Sequence, residues 1–238
     1  MAPRAVKLGI LSDIHSNLEA LTKGLDLLRE AEVTEIVCLG DIVGYGANPN
    51  ECLDLVRQHC SVVLMGNHDQ AAVNLEAAEY FTAPARAAAY WTARELTQDH
   101  REYLRNLALT GTRRGAFLVH ASPLEPGEWH YIFSESDARL AFRQFGEQIC
   151  FVGHSHVPGI FAEKTGMDEV NRGDRFLVNV GSVGQPRDGD PRLSVGVFNP
   201  DRWEYRNIRA EYDTARARRK ILDAGLPAIL GDRLLRGR

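Results

Sequence analysis

The fold is decided by residues 6–41, VKLGILSDIHSNLEALTKGLDLLREAEVTEIVCLGD. Two short apolar runs, Val6–Leu11 and Glu35–Leu39, are typical of buried strands, and the segment between them is typical of an amphipathic helix. Its leucines recur every three or four residues and so lie on one helical face: Leu18, Leu21, Leu25 and Leu28. Ser16 and Glu19 match the S-x-x-E capping box at the start of that helix. A strand, a helix and a second strand in this order predict a parallel β-α-β unit.

The alternation of strands and helices continues to residue 153. Further strands are predicted at Ser61–Met65, Ala116–Val119 and Gln148–Val152. Helices are predicted at Glu51–His59, Ala85–Leu96, Gln98 to about Leu107, and from the cap Ser134 to Phe145. The helical stretch at about 76–108 is an insert, which we expect either to cap the molecule or to flank a sheet.

After Gly153 the pattern is typical of β-structure. Four apolar runs are separated by Gly, Pro, Asp and Asn turns: Ile160–Lys164, Arg175–Val180, Leu193–Phe198 and Trp203–Tyr212. Their close spacing predicts an antiparallel meander. Asp213 is expected to cap a final helix at about 213–224. No repeat or low-complexity linker interrupts the chain, so residues 1–238 are predicted to form a single α/β domain.

Composition excludes several classes of protein. The chain has 238 residues, of which 44% are hydrophobic and 25% charged, enough to bury a core without disulfides. Its net charge of −4 argues against a basic surface for specific nucleic-acid binding. No apolar run is long enough to span a membrane, and residues 1–7 lack a signal-peptide pattern. The cysteines show no C-x-x-C spacing, so we expect reduced thiols in a cytoplasmic protein: Cys38, Cys52, Cys60 and Cys150.

Polar clusters follow five of the apolar runs. They are Asp13-Ile14-His15, Gly40-Asp41, Gly66-Asn67-His68-Asp69, His120 and Gly153-His154-Ser155-His156. Because ligands of open α/β sheets bind at the carboxyl ends of the strands, we expect these clusters to meet at one edge. A lone His is more often structural than functional. Together, however, the carboxylates would repel and the buried imidazoles would be costly to desolvate, and metal ions would relieve both penalties.

The order D-x-H, G-D, G-N-H-D, a lone H after a strand, and G-H-x-H resembles the calcineurin-like metallophosphoesterase superfamily, and most of all its small prokaryotic phosphodiesterase-type members. The resemblance extends from Val6 to about Arg192. It implies a four-layer α-β-β-α sandwich, in which two mixed β-sheets are flanked by helices. It also implies a binuclear metal centre at one edge of the sandwich.

The resemblance further implies the metal ligands. One divalent ion is expected on Asp13, His15, Asp41 and His156. The second is expected on Asp41, Asn67, His120 and His154, so that Asp41 bridges the two ions. Histidine and oxygen ligands suit Mn²⁺, which we expect, with Fe, Zn²⁺ and Ni²⁺ as alternatives. Two divalent ions outweigh two carboxylates and a bridging hydroxide, so the site stays positive and attracts phosphate.

The catalytic roles are also implied by the resemblance. A hydroxide between the two ions attacks the phosphorus in line. His68 donates a proton to the leaving oxygen, and Asp69 orients His68. The structural alternative is that His68 only closes a turn.

Three further residues are candidates for contacts with substrate. The Asn17 amide reaches a phosphate oxygen or is simply a polar residue at a helix start. Tyr45 stacks on a base or leaving group, or lies exposed on a flexible turn. Arg187 binds substrate, or it and Arg192 pair with the neighbouring Asp188 and Asp190. His130 and Trp129 lie in the loop after His120, either near the mouth of the site or, on the simpler interpretation, in a surface loop with a packed Trp.

These patterns predict a binuclear-metal-dependent phosphodiesterase that acts on small, nucleotide-like phosphoesters. The alternatives are a phosphomonoesterase, a protein phosphatase or a dinucleoside polyphosphate hydrolase. Protein phosphatases of the superfamily and symmetrical dinucleoside tetraphosphate hydrolases usually show G-N-H-E followed by Arg, whereas this chain has Asp69 and Gln70. A non-enzymatic scaffold of the same fold would be expected to lack several ligands. The sequence specifies no oligomeric state.

Overall fold

The computed structural model describes residues 6–164 and 169–238. The first five residues, on which the prediction of no signal peptide partly rests, lie outside the described residues. The strands are β1 (Leu8–Leu11), β2 (Glu35–Cys38), β3 (Cys60–Val63), β4 (Thr110–Arg113), β5 (Ala116–Val119), β6 (Ile149–Val152), β7 (Gly159–Ala162), β8 (Phe176–Asn179), β9 (Leu193–Asn199) and β10 (Glu204–Ala210). The α-helices are α1 (Leu18–Glu30), α2 (Pro49–His59), α3 (Asn67–Val73), α4 (Ala83–Glu95), α5 (Gln98–Arg105), α6 (Glu135–Ala141), α7 (Thr214–Asp223) and α8 (Ala228–Leu234).

The strands form two mixed sheets of five strands each. The first has the order β10-β9-β1-β2-β3, and the second has the order β4-β5-β6-β8-β7. In the first sheet β1, β2 and β3 are parallel, and in the second β5, β6 and β8 are parallel. The remaining strands pair antiparallel at the sides. The carboxyl ends of six parallel strands are therefore available to build a site.

The two sheets pack face to face through apolar side chains. Leu8 and Ile10 of β1 meet Phe151 of β6 and Phe176 of β8 in this inner core, and all four are fully buried. Alternate residues point outward to the helices. Leu11, for example, joins a core with α1, α2 and α5, whereas Val152 joins one with α6. The predicted four-layer α-β-β-α sandwich is thereby confirmed.

The predicted antiparallel meander after residue 153 is wrong. β7 and β8 form a hairpin in the second sheet, whereas β9 and β10 form a hairpin in the first. β8 also pairs parallel with β6, and β9 pairs antiparallel with β1. Short apolar strands carry no signal for their sheet, and here both β8 and β9 gain burial on both faces by joining different sheets.

The predicted capping box at Ser16 and Glu19 is also wrong. The N-cap of α1 is Asn17, whose side-chain oxygen accepts from the backbone N–H of Ala20 at 3.2 Å. Ser16 has a left-handed φ of 54° and belongs to the preceding turn. Glu19 instead pairs with Lys220 of α7, with 2.6 Å between Nζ and Oε1.

Three elements were not predicted from the sequence. They are α3, which begins within the Gly66-Asn67-His68-Asp69 cluster, the short strand β4, and α8, which follows Pro227. The insert at 76–108 serves both of the expected purposes. Leu104 of α5 packs in the core outside the first sheet, whereas Ala85 and Ala88 of α4 pack with α7 and α8 around Tyr45.

Candidate metal centre

The seven predicted metal ligands all follow parallel strands at their carboxyl ends. Asp13 and His15 follow β1, Asp41 follows β2, Asn67 follows β3, His120 follows β5, and His154 and His156 follow β6. Their side chains form two groups of mutually close ligand atoms. Asp13, His15, Asp41 and His156 form one, and Asp41, His120 and His154 form the other. Within each group the ligand atoms lie within 4.8 Å of one another, and all these residues are buried.

Asp41 belongs to both groups through a single oxygen. Its Oδ2 lies 3.6 Å from Nε2 of His15 in the first group and 3.4 Å from Nε2 of His120 in the second. Its other oxygen, Oδ1, accepts from the backbone N–H of His68 at 2.8 Å. That hydrogen bond fixes the carboxylate, so the shared oxygen is aimed between the two groups of ligands.

Hydrogen bonds on the far side of two histidines fix which ring nitrogen is free. Nδ1 of His15 donates to the carbonyl of Val43 at 3.1 Å, and Nδ1 of His156 donates to the carbonyl of Gln185 at 2.6 Å. The two Nε2 atoms therefore carry lone pairs, and they face each other at 3.1 Å. Two lone pairs in such contact repel unless a cation lies between them. This arrangement fits a metal ion.

The second group also contains polar atoms without partners. Asn67 Oδ1, His154 Nε2 and both ring nitrogens of His120 are buried and make no hydrogen bond with any residue that the structure describes. Buried polar atoms are normally satisfied, because desolvating them costs free energy. An amide oxygen and imidazole nitrogens are suitable ligands for a divalent cation. The second group therefore also fits a metal ion, and the unpartnered oxygen of Asn67 is a candidate further donor.

The backbone at the site is strained. Five of the predicted ligands have left-handed φ values: 54° for Asp13, 51° for His15, 52° for Asp41, 65° for His154 and 61° for His156. Such values are uncommon for residues other than glycine and cost free energy. The turns after β1, β2 and β6 each adopt this conformation. This indicates that the required positions of the side chains, rather than the backbone conformation of lowest energy, determine these turns.

Interactions between the carboxylate of Asp41 and the neighbouring imidazoles favour positive charge at the site. Burial acts to raise the pKa of Asp41, but the nearby imidazoles of His120 and His68 outweigh burial and hold this pKa well below its usual range. Burial acts to lower the pKa of His120, but the carboxylate of Asp41 outweighs burial and raises it to about 9. The Asp41 carboxylate therefore favours a positive charge at His120, and a metal ion can take the place of that proton.

His68 lies beside the first group. It occupies the first turn of α3, with its ring centroid 4.9 Å from that of His15, 4.4 Å from that of Tyr45 and 4.6 Å from that of Phe81. Burial lowers the pKa of His68 to about 4, although Asp41 acts in the opposite direction. The negative charge of a bound phosphate would raise this pKa. Nδ1 of His68 makes no hydrogen bond, so the ring keeps a free site for a proton.

The expectation that Asp69 orients the ring of His68 is wrong. Its Oδ1 accepts from the backbone N–H groups of Ile42 and Val43 at 2.9 and 3.1 Å, and its Oδ2 accepts from that of Gly66 at 3.1 Å. Asp69 thus ties the turn after β2 to the start of α3. It is a positioning residue that sets the backbone around Asp41 rather than a partner of the imidazole.

Gly44 supports His68 by its lack of a side chain. It has a φ of 92°, and a Cβ atom there would lie 2.7 Å from Nδ1 of His68. Gly44→Ala should therefore displace the His68 ring and lower kcat about tenfold or more, while the metal content stays unchanged. Gly115→Ala is the matched control, because Gly115 also has a positive φ, 76°, but a Cβ there would meet no atom within 4 Å. Equal kcat values for the two variants would contradict this account of Gly44.

Tyr45 occupies neither of the two settings expected from the sequence. It is only 8% exposed and packs between the ring of His15, at 4.6 Å, and helices α4, α7 and α8. No ring face is open for a base, and the turn is not an exposed one. Its hydroxyl accepts from Nη2 of Arg187 at 3.3 Å. Tyr45 therefore supports His15 by ring packing and Arg187 by a hydrogen bond.

The other two predicted substrate contacts differ from each other. The amide nitrogen of Asn17 donates to the carbonyl of Gly184 at 2.8 Å and to the hydroxyl of Tyr212 at 3.1 Å, which favours its structural role at the start of α1. Arg187 makes hydrogen bonds with the neutral Gln185 and Tyr45 side chains. Arg192, in contrast, pairs with Asp190 at 2.6 Å. Of the two arginines, Arg187 keeps its charge free of a carboxylate among the described residues.

The loop between β5 and α6 brings aromatic residues to the centre that the sequence analysis did not single out as site residues. Trp129 approaches His120 edge to face, at 5.9 Å between centroids, and its Nε1 donates to the side chain of Gln70 at 3.2 Å. Tyr131 stacks on His154 at 4.0 Å. His130 points away and contacts Glu125. The run W-H-Y-I-F at 129–133, in the loop that follows the ligand strand β5, was the available signal.

Comparison with known proteins identifies the family. The calcineurin-like phosphoesterase superfamily domain matches residues 6–202. The chain belongs to this superfamily. The predicted resemblance is thereby confirmed, and the family is one of metal-dependent phosphoester hydrolases. The matched range contains all the residues of the two buried ligand groups described above.

Alignments with similar proteins cover nearly the whole chain. A metallophosphoesterase from Sphaerobacter thermophilus, known as a crystal structure, is 38% identical with a TM-score of 0.88, and the alignment covers 99% of this chain and 100% of that one. An uncharacterized protein of Methanocaldococcus jannaschii is 36% identical, with 97% of this chain and 98% of that protein covered. A hypothetical protein from Pyrococcus horikoshii OT3 is 21% identical with a TM-score of 0.82, over 98% and 99% of the two chains, and shares the fold. Within residues 6–164 and 169–238, no helix is both long and apolar enough to cross a bilayer.

Proposed function

We propose that this phosphoesterase-family chain is a phosphodiesterase that uses two divalent metal ions to hydrolyse small, nucleotide-like phosphoesters. The observation that carries the proposal is the single oxygen of Asp41 that faces His15 on one side and His120 on the other. One shared carboxylate oxygen between two complete sets of donors is the arrangement that a pair of adjacent ions requires. The facing lone pairs of His15 and His156 add a second, independent indication.

The proposed ligands divide between the two ions. Asp13, His15 and His156 would hold the first, Asn67, His120 and His154 would hold the second, and Asp41 would serve both. Mn²⁺ is the proposed ion, with Fe, Zn²⁺ and Ni²⁺ as alternatives for histidine and oxygen donors. When bound, two such ions supply positive charge for the phosphate oxygens and make a water molecule nucleophilic at neutral pH.

The remaining groups act on the ester itself. We place His68 at the leaving oxygen, where its ring donates a proton as the phosphorus–oxygen bond breaks. Arg187 is placed at a non-bridging phosphate oxygen, because its guanidinium has no carboxylate partner among the described residues and lies against Tyr45 beside His15. A diester carries one negative charge, which a site with a small positive excess binds without being over-neutralised.

Metal loading and a substrate panel test the proposal together. After loading with Mn²⁺, elemental analysis should find two ions per chain, and bis(4-nitrophenyl) phosphate should be hydrolysed with a higher kcat/KM than 4-nitrophenyl phosphate. Chelation should abolish turnover and lower Tm, because ions that bind only the folded chain stabilise it. One ion per chain would contradict the binuclear centre. A higher kcat/KM for the monoester would instead favour a phosphomonoesterase.

A further inference from the structure

Two exposed aromatic rings extend outward from a proposed metal ligand. Tyr131 stacks on the imidazole of His154, with 4.0 Å between centroids and 24° between planes. Phe133 in turn stacks on Tyr131, at 5.0 Å and 12°. Phe133 is 64% exposed and Tyr131 is 47% exposed. The three nearly parallel rings form a column that begins at the metal centre and ends on the open face of Phe133.

The end of this column is fixed by its backbone. The N–H of Phe133 donates to the carboxylate of Asp137 at 3.1 Å, and the next residue, Ser134, is the N-cap of α6. A hydrophobic residue directly before an N-cap usually packs back onto its own helix. Phe133 instead points away from the core of α6 and stacks on Tyr131. Its ring is therefore held at the surface by a rigid helix start.

Nearby residues hold the inner part of the column. Trp129 in the same loop contacts His120 and is anchored to Gln70. Arg187 donates to the hydroxyl of Tyr45, whose ring packs against that of His15. The column starts at His154 and the proposed phosphate contact of Arg187 lies behind His15, so both adjoin the proposed metal ligands. A ligand on the metal centre has both within its reach.

We propose that the Tyr131–Phe133 stack binds the planar base of a nucleoside phosphoester whose phosphate lies on the metal centre. The inference deepens the proposed function and rests on it. Stacking on exposed aromatic rings is how proteins hold bases without reading their identity. Tyr45, the ring that the sequence suggested for this purpose, is buried, whereas Phe133 offers an open face.

The length of the column favours a nucleoside over a simple aryl ester. Phe133 is separated from His154 by the Tyr131 ring, through successive centroid distances of 4.0 and 5.0 Å. In an aryl phosphate the ring carries the ester oxygen directly, so it stays beside the metal centre and does not reach Phe133. In a nucleotide the ribose adds the missing length between phosphate and base.

The test compares the binding of 5′-AMP and ribose 5-phosphate to the Mn²⁺-loaded protein by calorimetry. The two ligands share the sugar phosphate and differ by the base. We expect wild-type protein to bind 5′-AMP about tenfold more tightly. Phe133→Ala should reduce this preference to about one, with ribose 5-phosphate affinity unchanged. Phe133→Trp, which keeps a flat ring, should retain the preference, and Phe133→Leu should lose most of it.

Leu140→Ala is the matched control. Leu140 is also an exposed apolar side chain, but it lies on α6 and outside the column, so this variant should retain the preference. Equal affinity of wild-type protein for the two ligands would overturn the inference, as would an unchanged ratio in Phe133→Ala. A change of oligomeric state in Phe133→Ala with an unchanged ratio would instead identify the rings as a contact between copies of the chain. A protein that hydrolyses no phosphoester but shows the binding preference would contradict the proposed function alone.

Discussion

Asp41→Asn is expected to reduce the metal content of the protein from two ions to fewer than one per chain and to lower kcat by about 10³-fold or more. Removing one electrostatic contact to a transition state lowers kcat by ~10²–10³-fold. Asp41 is proposed to act through both ions at once. Its Oδ2 is the atom that faces both His15 and His120. Asn keeps the shape of the side chain but removes the negative charge that holds two cations close together.

Two comparisons make the Asp41 result specific. Asn67→Ala removes a donor that is proposed for the second ion alone, so elemental analysis should find one ion per chain in that variant. Asp26→Asn changes a surface carboxylate that pairs with Arg29 on α1, and it should keep both ions and wild-type kcat. If Asp41→Asn retained two ions and full turnover, the shared-ligand interpretation of the site would be wrong.

His68→Gln is expected to slow the hydrolysis of diesters with alkyl leaving groups by ~10²–10⁴-fold, the usual contribution of a general acid. The same variant should slow the hydrolysis of 4-nitrophenyl diesters less than tenfold, because 4-nitrophenolate is a stable anion that leaves without a proton. The His68 ring is buried against His15 and Tyr45, with Nδ1 free of any hydrogen bond. These contacts place His68, as a proton donor, beside the proposed metal ligands, but His68 is not itself a ligand.

The metal content separates His68 from the ligands. His68→Gln should retain two ions per chain, unlike Asp41→Asn, since His68 belongs to neither ligand group. His130→Ala is the control, because His130 lies in the exposed part of the β5–α6 loop and pairs with Glu125 there. Equal losses of kcat on alkyl and 4-nitrophenyl diesters would remove the general-acid role and leave His68 as a structural neighbour.

The folding of the ligand strands was predictable because it depends on local pattern. The leucine spacing of α1 and the short apolar runs of β1, β2, β5 and β6 correspond to elements of the structure within a few residues. The sheet assignment of β9 was not predictable, because its apolar residues suit either sheet. Only the pairing of Leu8 with Phe198 and of Ile10 with Gly196 places it in the first.

Neighbouring side chains decide the supporting roles at the site. Asp69 adjoins His68 in sequence, yet its carboxylate binds the backbone of Ile42 and Val43, from another strand end. Tyr45 follows Asp41 closely, yet α7 and α8 cover it. Both outcomes depend on contacts between segments far apart in the chain, which no local pattern records.

The order of chemical groups along the chain was enough to predict a metal centre. Polar residues directly after the parallel strands of one sheet come together at its edge, because such strands end on the same side, and the packing of the two sheets then joins the two edges. The tertiary structure alone decides that one oxygen of Asp41 faces both ligand groups and that Tyr131 and Phe133 extend the site outward. Those features are distances between segments that packing brings together, and packing energies depend on the whole core rather than on any stretch of sequence.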